Sequence, residues 1–375
     1  MSRVLFLHFA IRAEVKVSAL HHHSELRFLQ RVLCAFDPQR HSVDRQSAIL
    51  PLPENNDADQ ANMKLRPLGN TGLQVSGIGF GAWQLCNDDS WGGMDEETAY
   101  HLVHKAVEGG INLFDTAPNY AHTKSEQILG HALHGYREKV VLVSKFGHTP
   151  EGPKLFTVDW FWESLEASLK RLRTDYLDVL LLHNPPAEMY EGTDPLWVVL
   201  EQAREQGMIR HYGASLDFAS EVEKCLANTN SEVFEILFNV FHQDVRRSFD
   251  SIREQGIGTI AKVPLDSGWL TGRFDARSRF EGIRTRWSAE EISRRANLVS
   301  QINWLIADGS ELAHKAIAYL LSYDEVSCVI PGIRTRDQLA SNLAAAACRV
   351  SSDERRKLET FWNEITDNGS NLIPW

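Results

Sequence analysis

Eight short apolar runs between residues 76 and 332, separated by amphipathic or polar stretches, constrain the fold of this chain more than any other feature. They read SGIGFGAW, INLFDT, VVLVSKF, DVLLLH, IRHYGAS, FEILFNV, GTIAKV and SCVIPG. Most are continuous apolar runs and do not alternate apolar with polar, which is the pattern of strands in a parallel sheet covered by helices. Between them, DEETAYHLVHKAVEGG, SEQILGHALHGY and TVDWFWESLEASLKRLRT place apolar residues at helical spacing, with Gly at several ends. Eight such units match a (β/α)₈ barrel in number and length. A doubly wound sheet usually needs fewer strands and an early Gly-rich phosphate loop, and GFGAW does not supply G-x-G-x-x-G. The predicted fold class is therefore α/β, a (β/α)₈ TIM barrel. RPLGNTGLQVS carries two turn signals, Gly69-Asn70 and Thr71-Gly72, and predicts a hairpin ahead of the first core strand. SAEEISRRANLVSQINWLIAD predicts one extra helix before the last unit, and DERRKLETFWNEI a closing helix; the tail after Val350 is expected across the barrel mouth.

The barrel pattern begins at Met63, so the chain divides into an N-terminal extension, 1–62, expected to be poorly ordered, and a barrel domain, 63–375. The first 45 residues are rich in Arg, His and Leu and poor in acids, before AILPLPENNDADQAN turns polar. An organelle transit peptide has that composition. The preferred expectation is an upstream extension or an over-called start, with the functional protein opening at Met63. A net charge of −11 without a Lys/Arg stripe argues against a nucleic-acid partner, which would have to meet phosphates with clustered cations. The five cysteines are scattered and form no C-x-x-C, which fits a reducing, cytoplasmic setting and gives no sign of a disulfide framework or zinc site. No uninterrupted apolar run approaches the roughly 18 residues needed to span a bilayer. The sequence is silent on oligomeric state.

Three of the apolar runs carry a polar residue where a buried strand should emerge from the core: Asp115, Lys145 and His183, with Tyr120 five residues beyond the first. That is where α/β enzymes hold their chemistry. Each alone has a plain structural explanation as a turn cap, a solvated charge, a loop aromatic or a core histidine. Together, a carboxylate, an ammonium, a phenol and an imidazole form a coherent set for proton transfer to a carbonyl. A free tyrosine titrates near pH 10. A lysine held beside it is expected to lower that value, with an aspartate orienting the lysine and the histidine donating to the substrate oxygen.

From Met63 to about residue 350 the ordered motifs resemble the aldo-keto reductase superfamily. RPLGNTGLQVSGIGFGAW is similar to its hairpin and first strand and DTAPNY to its D-T-A-x-x-Y motif, and SEQILGHAL, SKFG, LLLHNP, GAS, PLDSGWLTGRF and IPGIRTRDQLASN follow in the expected order. The resemblance implies an oxidoreductase that transfers a hydride between NADP(H), or alternatively NAD(H), and a small aldehyde, ketone or alcohol, without a metal. It implies Tyr120 as general acid, Lys145 as the partner that lowers its pKa, Asp115 as the residue holding Lys145, and His183 as the donor that orients the carbonyl. It further implies cofactor contacts at Ala82, at Ser215 for the carboxamide, and at Pro264, Leu265, Ser267 and Leu270 around the pyrophosphate. Gly332, Gln338 and Asn342 would serve the adenosine end, with Arg334 or Arg336 on the 2′-phosphate. Trp83 is expected at the substrate mouth, with Trp91, His122 and Phe146 as neighbours.

The chain departs from the pattern at Leu216, where the family commonly has Asn, at Lys262, where a tyrosine is expected, and in the AHTKSE loop. Losing the hydrogen bond at Leu216 would cost about 1 kcal/mol of nicotinamide binding. Lys262 is expected to point to solvent rather than attract an acidic substrate. Two other functions fit the resemblance: an NAD-dependent sugar dehydrogenase working oxidatively, and a cofactor-binding regulatory subunit with negligible turnover, as potassium-channel β subunits illustrate.

Overall fold

The computed structural model describes residues 63–375, so the extension expected at 1–62 lies outside the described residues. A hairpin, β1 (Leu65–Pro67) and β2 (Gln74–Ser76), comes first. Eight parallel strands follow in sequence order: β3 (Phe80–Gly81), β4 (Leu113–Asp115), β5 (Val141–Phe146), β6 (Leu177–His183), β7 (Ile209–Leu216), β8 (Val233–Leu237), β9 (Gly258–Lys262) and β10 (Cys328–Val329). The first and last meet through parallel bridges Ile78↔Val329 and Gly81↔Gly332, with Gly79 N–H donating to the Val329 carbonyl at 2.8 Å. Each of the eight predicted runs contributes one strand. The extra helix is Ala289–Gln301, followed by a short 3₁₀ turn at Asn303–Ile306, and the closing helix is Ser352–Ile365.

Strand periodicity sorts the apolar side chains into two layers. Leu113, Val141, Val143, Val179, Leu181, Val233, Ile260 and Cys328 form one buried cluster inside the barrel. Their neighbours in the chain, such as Phe114, Leu142, Leu180 and Phe234, belong to the second cluster, which also holds buried residues of the surrounding helices. Continuing the inward parity by two residues along each strand reaches Asp115, Lys145, His183, Ser215, Glu235 and Lys262. The same alternation that fills the lower barrel with aliphatic groups therefore turns polar at the C-terminal rim. A fully buried aliphatic side chain contributes about 1.5–3 kcal/mol, and Leu181→Ala would lose about 2–5 kcal/mol.

The hairpin closes the other end, with Leu68, Leu73 and Val75 packed against the interior cluster. Gly69 makes this seat possible: its φ is +55°, and a Cβ there would stand 2.2 Å from the Gly258 nitrogen. Asn70 N–H donates to the Gly256 carbonyl at 2.7 Å. No helix among the described residues is long and apolar enough to cross a membrane.

Candidate active site

A cavity of about 470 Å³ opens over the C-terminal ends of the strands. Its floor joins residues far apart in sequence because parallel register aligns them: His183 lies opposite Ser215, and Ser215 opposite Glu235. Lys145 is buried just beneath the floor and does not itself line the cavity. Its Nζ donates to both Asp115 oxygens at 2.7 and 2.6 Å, to the Thr116 carbonyl at 3.2 Å and to Tyr120 Oη at 3.2 Å. Tyr120 follows β4 by a tight turn in which its N–H donates to the Ala117 carbonyl at 3.1 Å. Its ring meets His183 edge-on at 5.9 Å between centroids. The four residues singled out in the sequence are thus one contiguous group.

Electrostatics at this floor are set by burial and by two carboxylates, one of which sequence reasoning missed. Glu235 Oε2 is 3.1 Å from Lys145 Nζ, while Glu235 Oε1 accepts from Ser215 Oγ at 3.1 Å. Burial pulls the Lys145 pKa down, but Asp115, Glu235 and then Tyr120 outweigh it, leaving the ammonium well above the ordinary lysine value. Burial and the neighbouring Glu235 push Asp115 well up, against Lys145. Burial also lifts Glu235, yet Lys145 and Lys262 prevail and hold it below the usual carboxylate range. Burial, followed by Lys145, His148 and Lys262, holds His183 well below the ordinary histidine value, so its imidazole is neutral. For Tyr120 the expected lowering by Lys145 is present but outweighed: burial, with Asp115 and Glu235, leaves the phenol above its ordinary value.

Lys262 departs from its predicted solvent position. Its side chain is 12% exposed; Nζ lies 2.8 Å from Asp217 and donates to Ser215 Oγ at 2.7 Å and to Asn184 Oδ1 at 3.4 Å. Inward parity on β9 explains the difference. Ser215 is fully buried beneath this lysine and is absent from the cavity wall, and neither Ala82 nor Leu270 lines it. Pro264, Leu265 and Ser267 do, as do Gly332, Arg334, Gln338 and Asn342. Arg336 is exposed and off the wall. Trp83 and Trp91 line it and pack edge to face at 5.2 Å, whereas His122 and Phe146 do not reach it.

The outer arm of the cavity has a different character. Asp266, Ser267 and Gly268 are consecutive left-handed residues, with φ of 46°, 53° and 104°. Arg284 Nε donates to the Ser267 carbonyl at 2.8 Å and Arg286 to Ser267 Oγ at 3.0 Å, so the turn Gly282–Arg286 braces this loop. Beneath it, buried Asp266 pairs with Arg295, which also donates to the Pro374 carbonyl; Trp375 then reaches the cavity wall. Arg273, Arg284 and Arg334 line this arm together. Arg334 donates to the Gly92 carbonyl at 3.1 Å, and neither Arg284 nor Arg334 has a carboxylate partner among the described residues. Burial, then repulsion from Arg334 and Arg286, lowers the Arg284 pKa. A wall of guanidiniums without counter-charges beside a strained loop suits an anionic ligand with phosphates. Arg273 and Arg284 belong to an irregular stretch that gives no periodic signal, and reasoning from the sequence missed both.

The sequence model described as the aldo/keto reductase family matches residues 77–363. Aldo-keto reductase YhdN of Bacillus subtilis (strain 168) is 28% identical over 320 residues, covering 81% of this chain and 96% of its own length. L-galactose dehydrogenase of Arabidopsis thaliana is 29% identical over 295 residues, covering 76% of this chain and 88% of its own length. Among solved structures, the holo form of aldo-keto reductase AKR11C1 from Bacillus halodurans superposes with a TM-score of 0.67 at 26% identity, covering 80% of this chain and 96% of that one.

Proposed function

The chain belongs to the aldo/keto reductase family of nicotinamide-dependent oxidoreductases, and from that premise we propose that it reduces an aldehyde or ketone with NADPH, Tyr120 acting as general acid. The observation that carries this reading is the buried Lys145 ammonium, bonded at once to Asp115 and to Tyr120 Oη, with His183 beside the same phenol at the cavity floor.

The cofactor, when bound, supplies the hydride to the carbonyl carbon. The guanidiniums of Arg273, Arg284 and Arg334 and the left-handed loop at Ser267 fit its phosphates, with Arg334 the preferred partner for a 2′-phosphate. Gly332, on the cavity wall, is assigned to the adenosine end; its missing Cβ also leaves room for the Gln84 amide, which would otherwise stand 2.5 Å away. Gln338 and Asn342 are assigned to the same end. Trp83 and Trp91 form the substrate side of the mouth.

In the reduction, Tyr120 Oη gives its proton to the substrate oxygen as negative charge develops there. The neutral His183 imidazole donates a second hydrogen bond to that oxygen and fixes its direction, a prearranged contact that strengthens as charge builds. Lys145 donates to Tyr120 Oη and stabilises the phenolate left behind, while Asp115 keeps the ammonium in place. Burial keeps the Tyr120 phenol above its ordinary value, so at neutral pH it is in the protonated form that reduction needs.

The test is to follow the absorbance of reduced nicotinamide with NADPH and NADH against a panel of aldehydes, ketones, sugars and lactones. The proposal expects carbonyl-dependent oxidation of NADPH with a preference over NADH of about tenfold or more, the worth of one charge-assisted contact. No turnover with any compound would favour a cofactor-binding module instead. The relationship to L-galactose dehydrogenase of Arabidopsis thaliana favours one second reading, oxidation of a sugar with NAD⁺. It predicts the reverse signal, with L-galactose as the probe.

A further inference from the structure

Lys145 has more acceptors than protons. An ammonium carries three N–H groups, yet Nζ lies within 3.2 Å of both Asp115 oxygens, the Thr116 carbonyl and Tyr120 Oη, and 3.1 Å from Glu235 Oε2. Glu235 therefore competes with the phenol for the same cation. Its side chain is 3% exposed and forms part of the cavity floor. On its far side, Ser215 Oγ donates to Glu235 Oε1 at 3.1 Å and accepts from Lys262 Nζ at 2.7 Å. The inward positions of four strands, β7 to β9 and, across the barrel, β5, thus form a chain of contacts: Lys262 on β9, Ser215 on β7, Glu235 on β8 and Lys145 on β5, ending at Tyr120.

We propose that Glu235 is a positioning residue acting through Lys145: a second counter-ion that divides the ammonium's influence and holds Tyr120 as the phenol, opposed by Lys262. This deepens the assignment of Tyr120 as general acid and rests on it. The titratable groups around the pair are Asp115 from β4, Lys145 from β5, His183 from β6, Lys262 from β9 and Tyr120 itself, with Asp217 beyond Lys262. His183 is neutral, so the charged groups acting on the phenol are Lys145 on one side and Asp115 and Glu235 on the other, with Lys262 acting on Glu235. The directions agree with the geometry: burial raises the phenol's pKa, Lys145 opposes that, and Asp115 and Glu235 add to it. Glu235 itself is ionised, since burial is outweighed by Lys145 and Lys262.

Glu235→Gln keeps the shape and removes one negative charge. Reduction needs the protonated phenol, so kcat/KM falls as pH rises through the Tyr120 pKa. Lowering that pKa moves the fall to lower pH. In NADPH-dependent reduction of 4-nitrobenzaldehyde, the alkaline limb is expected to move down by roughly one to two pH units in Glu235→Gln, from the interaction of two charges several ångströms apart in a partly screened interior. Lys262→Gln removes a positive charge and is expected to move it upward by less. The near-ultraviolet phenolate absorbance of the protein without cofactor, taken as the difference between each protein and its Tyr120→Phe counterpart, should shift in the same directions and needs no turnover.

A limb and phenolate titration that stay in place in a folded Glu235→Gln protein would overturn the inference, as would a loss of kcat without a shift, the mark of a merely structural role. If Glu235→Gln does not fold, Lys262→Gln decides: an upward move supports the inference and an unmoved limb overturns it. Tyr120→Phe separates the two levels. Retained turnover there refutes the assignment of the acid, whereas an inactive Tyr120→Phe with an unmoved Glu235→Gln limb refutes only the role of Glu235.

Discussion

The floor and the outer arm of the same cavity handle charge in opposite ways. At and just beneath the floor, Asp115, Lys145, Glu235 and Lys262 each have an oppositely charged group within about 3 Å, and all four occupy inward positions of barrel strands. On the outer arm, Arg284 and Arg334 donate to backbone carbonyls, without carboxylate partners among the described residues, and the loop beside them holds three left-handed residues in succession. The floor is prearranged by the fold, so altering it should damage folding and chemistry together. The arm lacks its counter-charge, so altering it should damage ligand affinity and leave folding nearly untouched.

The largest effect expected from this contrast is at Lys145. Lys145→Met strands two buried carboxylates, which should cost roughly 3–5 kcal/mol of folding stability, read from denaturant midpoints, and lower kcat by about 10²–10⁴-fold. A variant of unchanged stability would show that the floor is not a balanced unit. Next is Arg334→Ala, expected to weaken NADPH binding by roughly 10- to 100-fold, the worth of one charge-assisted contact, and NADH binding much less. Its folding stability should stay within about 0.5 kcal/mol of the parent. Equal losses for both cofactors, measured by tryptophan fluorescence titration, would move the 2′-phosphate elsewhere.

A smaller effect concerns pH. His183 is neutral in the fold, and its unfolded counterpart takes up a proton below about pH 6.5. The unfolded state then binds more protons, so His183 destabilises the fold progressively as pH drops below that value, by at most about 1.4 kcal/mol per pH unit. Urea midpoints between pH 7 and 5 should fall less steeply in His183→Asn, and identical slopes would mean the imidazole is protonated in the native protein.

The same contrast explains how much of the molecule could be read from its residues. The eight strands were visible because their apolar runs carry clear breaks, and Asp115, Lys145 and His183 because each ends such a run. Glu235 escaped notice inside FEILFNV, where an acid flanked by apolar residues looks like an interruption of the strand. Counting inward parity from Val233 would have found it. Lys262 is the last residue but one of GTIAKV, as Lys145 is of VVLVSKF, and the same parity turns it inward rather than to solvent. Ser215, Ala82 and Leu270 occupy their expected motif positions but not the cavity wall, because a motif fixes chain position and not which atoms face a ligand. Arg273 and Arg284 lie where the chain has no period, and tertiary folding alone brings them to the arm.

The most direct test of the central claim, that the floor is proton-transfer machinery separable from cofactor binding, is to titrate NADPH onto Tyr120→Phe and follow turnover of a carbonyl substrate in the same preparation. The account predicts NADPH affinity within about twofold of the parent, less than 0.5 kcal/mol, with kcat lower by about 10²–10⁴-fold. Turnover near the parent rate with cofactor bound would contradict it.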